Sequence, residues 1–195
     1  EYVQKDPQLV LYAEHMNMLM IENDSTLAEF KLSISQKYKR HRPRLLILLG
    51  NPALLMRDEY RELWGDIPIV LCSEENYLGP QETYTKKQAI ATADRTPLTQ
   101  LADPYNMVLL YSNLYLDENI QLIYHIVPEI KKFIFIGDAR QINQTNNLDI
   151  RNKLKKTHPN VEYQFITPQD MTTNQLLDSL YFVDPKTTGV LFSSW

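Results

Sequence analysis

Short runs of consecutive apolar residues alternate along this chain with stretches whose apolar positions recur every three or four residues. That alternation predicts buried strands separated by amphipathic helices. Residues 45–49, 67–71, 107–111, 133–136 and 189–192 read as strands, and Val161, Tyr163 and Phe165 alternate as in a half-exposed one. Leu27, Phe30, Ile34 and Tyr38 fall at helical spacing behind a capping box read at 26–29. A second helix carries Leu54, Leu55, Met56 and Leu63, with Asn51 as its N-cap and Pro52 at its first position. Ile120, Ile123, Tyr124 and Val127 mark a helix capped by Asp117; Leu148, Ile150 and Leu154 mark the next. A box at 172–175 opens the last, with Leu176, Leu177 and Leu180.

Two stretches break the pattern. From Leu9 to Met20 the chain reads as extended, with Met16, Met18 and Met20 on one face beside His15. Core packing by adaptable methionines accounts for that stripe, with a copper(I) site as the sharper alternative. From Ser73 to Asn106, Gly79-Pro80, Pro97 and Pro104 interrupt a polar stretch, which predicts a long functional or mobile loop with a short helix near 87–93.

Repeated strand–helix–strand units imply right-handed crossovers and parallel sheets. Because the alternation breaks at 112–116, the expectation is an α/β chain with two lobes, residues 1–112 and 113–195.

Composition narrows the chemistry. Twenty basic against 24 acidic residues leave a net charge of −4, which disfavours a dedicated nucleic-acid binder. No apolar run reaches the ~18 residues of a membrane span. Cys72 stands alone, which excludes an internal disulfide and a cysteine-clustered zinc site. Phosphate-cradling glycine loops, the GxSxG elbow and HExxH are all missing, and five glycines leave little room for tight phosphate turns. No catalytic residue, metal ligand or cofactor is therefore assigned. A small α/β enzyme using Asp138, or Glu74 with Glu75, stays as the reading from a different class.

Ligands of open α/β sheets bind beyond the carboxyl ends of the strands. Those ends hold Gly50-Asn51, Ser73 with Glu74, Ser112-Asn113, Gly137-Asp138 and Ser193-Ser194, with Tyr77, Tyr111 and Trp195 close by. Asn51, Ser73, Glu74, Asn113, Asp138 and Ser193 are the candidate ligand-binding residues, suited to a small polar solute.

The segment from Pro43 through Gly50-Asn51-Pro52 to Leu54, then Trp64-Gly65-Asp66 through Cys72, carries a recurring pattern, as does Asp117 to Pro128 followed by Lys132 through Asp138. It resembles the extracytoplasmic sensor domains of bacterial two-component histidine kinases that are similar to substrate-binding proteins of ABC transporters. The resemblance implies a type I periplasmic-binding-protein fold: two Rossmann-like lobes closing on a solute in the cleft between them. It places Asn51 at the first-lobe loop, Asn113 at the crossover and Asp138 on the second-lobe side. Against that family the first lobe is expected to lack its first strand and helix and the second to be truncated. Attachment to the membrane would then come from parts outside this segment, on the periplasmic face of the inner membrane. A homodimer is the assembly the resemblance suggests, and a free transporter-binding protein is the alternative.

Overall fold

The computed structural model describes residues 10–194. Residues 1–9, which begin both the extended segment and the expected first lobe, and Trp195 lie outside the described residues.

The chain is α/β, with parallel sheets flanked by helices. Its first part runs α1 (Asp24–Tyr38), β1 (Leu46–Leu49), α2 (Arg57–Trp64) and β2 (Ile69–Ser73), and ends with β5 (Met107–Tyr111). Between β2 and β5 lie β3 (Tyr77–Leu78), α3 (Gln81–Thr85), β4 (Thr96–Pro97) and α4 (Leu98–Ala102). Residues 112–115 then lead into α5 (Leu116–Ile126), β6 (Lys132–Ile136), α6 (Gln141–Thr157), β7 (Glu162–Ile166), α7 (Thr173–Tyr181) and β8 (Thr188–Phe192). One parallel sheet has the order β1-β2-β5, the other β7-β6-β8, and β3 pairs antiparallel with β4.

Strand order decides which faces are covered. From β1 to β2 to β5 the chain always steps in the same direction, so right-handed crossovers put the connections on one face. Leu48, Ile69, Leu71 and Met107 meet Leu27, Leu54, Tyr60 and Trp64 there, together with Leu78, Tyr84, Ile90 and Leu98 from the β2–β5 connection. Among the described residues nothing covers the opposite face, contrary to the expectation that these strands are covered on both sides. The second sheet starts at its middle strand β6 and reverses direction after β7, so α6 and α7 take opposite faces. Phe133 and Phe135 pack with Ile150 and Leu154 of α6, while Ile134 and Ile136 pack with Leu176 of α7.

Local chemistry moves several helix starts. α1 begins before Thr26 because Asn23 is its N-cap: Asn23 Oδ1 accepts from Thr26 N at 3.0 Å, and the Thr26 hydroxyl takes the reciprocal role at the third position. The box at Thr172 forms as expected, with Gln175 at its third position. Gly50, at φ +84°, rather than Asn51, precedes the turn after β1, and a 3₁₀ segment (Asn51–Met56) leads into α2. Tyr115, in the left-handed region at φ 49°, precedes α5, and Asp117 sits inside its first turn. Residues 10–20 form no strand: Met16 and Met18 pack on the first core, whereas Met20 is 72% exposed. The expected loop from 73 to 106 is instead a built layer, with its helices at Gln81–Thr85 and Leu98–Ala102 and a single 3₁₀ turn (Thr92–Asp94) near 87–93. Asp24 helps to fix it by accepting from Gln81 Nε2 and Thr85 Oγ1 at 3.1 and 3.2 Å.

Candidate functional site

Beyond the carboxyl ends of β1 and β2 lies a buried polar knot. Asn51 is 3% exposed and Ser73 6%, so each must find partners within the protein. Asn51 Nδ2 donates to the backbone oxygens of Glu75 and Tyr77 at 3.2 and 2.5 Å, fixing the path of the chain as it leaves β2. Ser73 Oγ accepts from Glu75 N at 3.1 Å. Its one proton serves either Asn51 Oδ1 or the Glu75 carbonyl, both within reach.

Glu75 is the buried carboxylate of this loop, at 7% exposure, while its neighbour Glu74 is exposed. Tyr77 donates its hydroxyl proton to Glu75 Oε1 at 2.8 Å. Burial raises the Glu75 carboxyl above its ordinary value; Tyr77, the Arg95 charge and Gln141 only partly offset that. Burial, then the Glu75 charge, pushes the Tyr77 phenol up as well, which keeps it a donor. The Arg95 guanidinium lies 4.5 Å from the centroid of the Tyr77 ring, a cation–π contact.

Helix α6 supplies the other side. Gln141, Thr145 and Asp149 recur every four residues and form one polar stripe on it. Each meets the β2–β5 connection or its flank: Gln141 lies beside Glu75 and helps to stabilise its charged form, Thr145 Oγ1 accepts from Ile90 N at 3.0 Å, and Asp149 holds Arg95. Gln141 also donates to Thr145 Oγ1 at 2.7 Å, which joins the stripe into one network. The two sheets thus meet through hydrogen bonds and an ion pair.

A second cluster occupies the switch point of the second sheet, beside β6, from which the chain runs to β7 on one side and returns to β8 on the other. Asp138 Oδ1 accepts from Arg140 N and Asn143 Nδ2 at 2.9 and 2.8 Å, and Oδ2 accepts from Arg140 Nε at 2.7 Å. Partial burial pushes this carboxyl up, but the hydrogen bonds from Arg140 and Asn143 outweigh it and hold the group below its ordinary value. Asn143 also reaches Ser194 Oγ at 2.8 Å and accepts from Ser193 Oγ at 2.9 Å, joining the end of β8 to the start of α6. A Cβ at Gly137 would lie 2.9 Å from Asn143 Cγ, so only glycine lets the amide sit so close to the strand end.

Of the six residues expected from the sequence, Asn51 and Ser73 are in contact with each other, and Asp138 and Ser193 share Asn143. Glu74 faces solvent, and Asn113 is exposed in the 112–115 link, where it accepts from Tyr115 N at 3.2 Å. Glu75 was expected only as a possible acid or base with Glu74, and Tyr77 only as an aromatic near the strand ends; Arg95, Gln141, Thr145 and Asp149 were not among the expected residues. The four-residue repeat of polar side chains on α6 is the signal that marks three of them. Both clusters are closed, each polar group bonded to another. A groove of about 450 Å³ lies on another side of α6, between Arg151, Lys155, His158, Tyr163 and Phe165. Among the described residues no group of three or more His, Cys, Asp or Glu is placed to hold a metal ion. No helix of the described residues is long and apolar enough to cross a membrane. A search of protein families, of curated proteins and of solved structures finds no match to this chain.

Proposed function

We propose that this chain is the ligand-sensing, extracytoplasmic domain of a two-component sensor histidine kinase. In this reading it is built as two Rossmann-like lobes in the manner of type I periplasmic-binding proteins and takes a small polar solute. The observation that supports it most is the polar seam between the two sheets, where Glu75, Ile90 and Arg95 meet Gln141, Thr145 and Asp149. A seam made of hydrogen bonds and one ion pair has alternatives in water or in a polar ligand; a greasy one does not. A solute that binds better when the seam is opened, or when the lobes are re-closed around it, shifts the population between the two states. That shift is the signal a membrane-attached kinase reads. The segment itself has no catalytic role here; its residues bind and transmit.

Thermal-shift and calorimetric titration of the chain with amino acids, sugars, dicarboxylates and polyamines tests this. One class is expected to raise the melting temperature saturably, since a ligand at about 100 times its Kd adds roughly 2.7 kcal/mol. The response is expected to fall in Asp149→Asn, which loosens the seam without emptying it. If no class shifts the melting temperature, the solute-sensing reading fails.

A further inference from the structure

The bare face of the β1-β2-β5 sheet is an ordered surface. Strand register sets Ile47, Val70 and Val108 in one row and Leu49, Cys72 and Leu110 in the next. These side chains alternate with the buried Leu48, Ile69, Leu71 and Met107, so they point away from the core. Leu45, just before β1, is 46% exposed and extends the apolar surface. Leu49 is 76% exposed, Val108 59%, Ile47 57% and Leu110 54%, with Val70 and Cys72 half-buried between them. None of the seven is charged. Parallel strands are normally covered on both faces, and a contiguous apolar patch of this kind marks an interaction surface.

We infer that a second copy of this chain covers this face, in a two-fold, face-to-face pair. The surface is two flat rows on a sheet, and its residues line neither the groove on α6 nor the small pocket beside Tyr105, so a small molecule would leave most of it wet. A sheet face of this shape packs closely on another sheet face at about 10 Å, and a uniformly apolar patch is complementary to itself under a two-fold axis. Area argues the same way. The seven side chains present roughly 500–600 Å² per copy, so pairing buries about 1,100 Å², just over the ~1,000 Å² of a specific interface. An interface this small is expected to dissociate at micromolar concentration. β2 is the middle strand, so the two-fold axis passes near Cys72 and brings the two thiols close together. This inference stands apart from the solute-sensing reading and survives its failure.

Sedimentation velocity across the micromolar range, with short bis-maleimide cross-linking of Cys72, tests it. The expected result is a concentration-dependent dimer that cross-links through Cys72. Leu49→Lys and Leu110→Lys, both at exposed positions, are expected to keep the circular dichroism and melting temperature and to weaken the dimer at least about tenfold, abolishing the cross-link. A chain that stays monomeric throughout the range overturns the proposal and leaves the face to another occupant. So does a dimer that both lysine variants leave unchanged.

Discussion

Arg95 Nη2 lies 2.7 and 2.9 Å from the two carboxylate oxygens of Asp149, tying the connection between β2 and β5 to the middle of α6. The same guanidinium donates to the Ile90 carbonyl and covers the Tyr77 ring, so one side chain joins the seam at three points. Burial works against its charge, but the Asp149 carboxylate more than offsets that and holds the Arg95 pKa above its ordinary value.

Removing either partner is expected to loosen the seam. Arg95 is 17% exposed and Asp149 34%, so the pair is only partly dry, and Arg95→Ala is expected to cost about 2 kcal/mol rather than the larger loss of a fully buried pair. Urea unfolding of Arg95→Ala, Asp149→Ala and the double variant measures the coupling, expected at about 1–2 kcal/mol. Additive single effects would show that the two side chains act independently.

Glu75 makes stability depend on pH with an acid-favouring sign. Its folded pKa is raised by burial, so the folded chain holds that proton more tightly than the unfolded chain does. Its contribution is complete below the ordinary value of 4.5 and is lost as pH rises through the folded value. Glu75→Gln still accepts from Tyr77 but no longer ionises. It is expected to match the parent below about pH 4.5 and exceed it by about 1 kcal/mol at mildly alkaline pH. Equal stability of the two chains across that range would mean that the folded chain accommodates the ionised Glu75 carboxylate as well as water does.

Much of the fold is legible because a run such as Phe133 to Ile136, buried on both faces, needs no distant partner to be recognised. The Thr172–Gln175 box is legible for the same reason: both of its hydrogen bonds close within four residues. Competition between neighbouring caps hides the start of α1, since Asn23, Asp24, Ser25 and Thr26 all offer a capping oxygen. The seam is hidden more deeply. Gln141, Thr145 and Asp149 read as a solvated helix face because their partners lie about fifty residues or more away. The bare face is hidden in the opposite way. Ile47 and Leu49 look as buried as Leu48, and only the one-directional order β1-β2-β5 reveals that none of the described residues packs over them.

Asn51 is expected to act through the chain it restrains. Asn51→Ala leaves the buried carbonyls of Glu75 and Tyr77 without their amide donor and should cost about 2–3 kcal/mol in urea unfolding. Asn51→Asp should cost at least as much at neutral pH, because a carboxylate offers no donor and faces two carbonyl oxygens. Hydrogen exchange is expected to speed up first in residues 77–97. Unchanged protection there would mean that the connection is held by its own core contacts through Tyr84 and Ile90 alone.

Asp138 carries the opposite pH sign from Glu75. Hydrogen bonds from Arg140 and Asn143 hold its folded pKa below the ordinary value of 3.8, despite partial burial. Its contribution is therefore present above that value and lost as pH falls through the folded pKa. The Asp138 side chain is 16% exposed but that of Arg140 is 47%, so solvent screens their ion pair in part. Asp138→Asn is expected to cost about 1–2 kcal/mol at neutral pH and much less in strong acid, where the parent has lost the same interaction. Melting curves of the two chains should therefore converge on acidification. Curves that stay parallel down to strong acid would show that Asp138 acts through its shape and uncharged hydrogen bonds rather than through its charge.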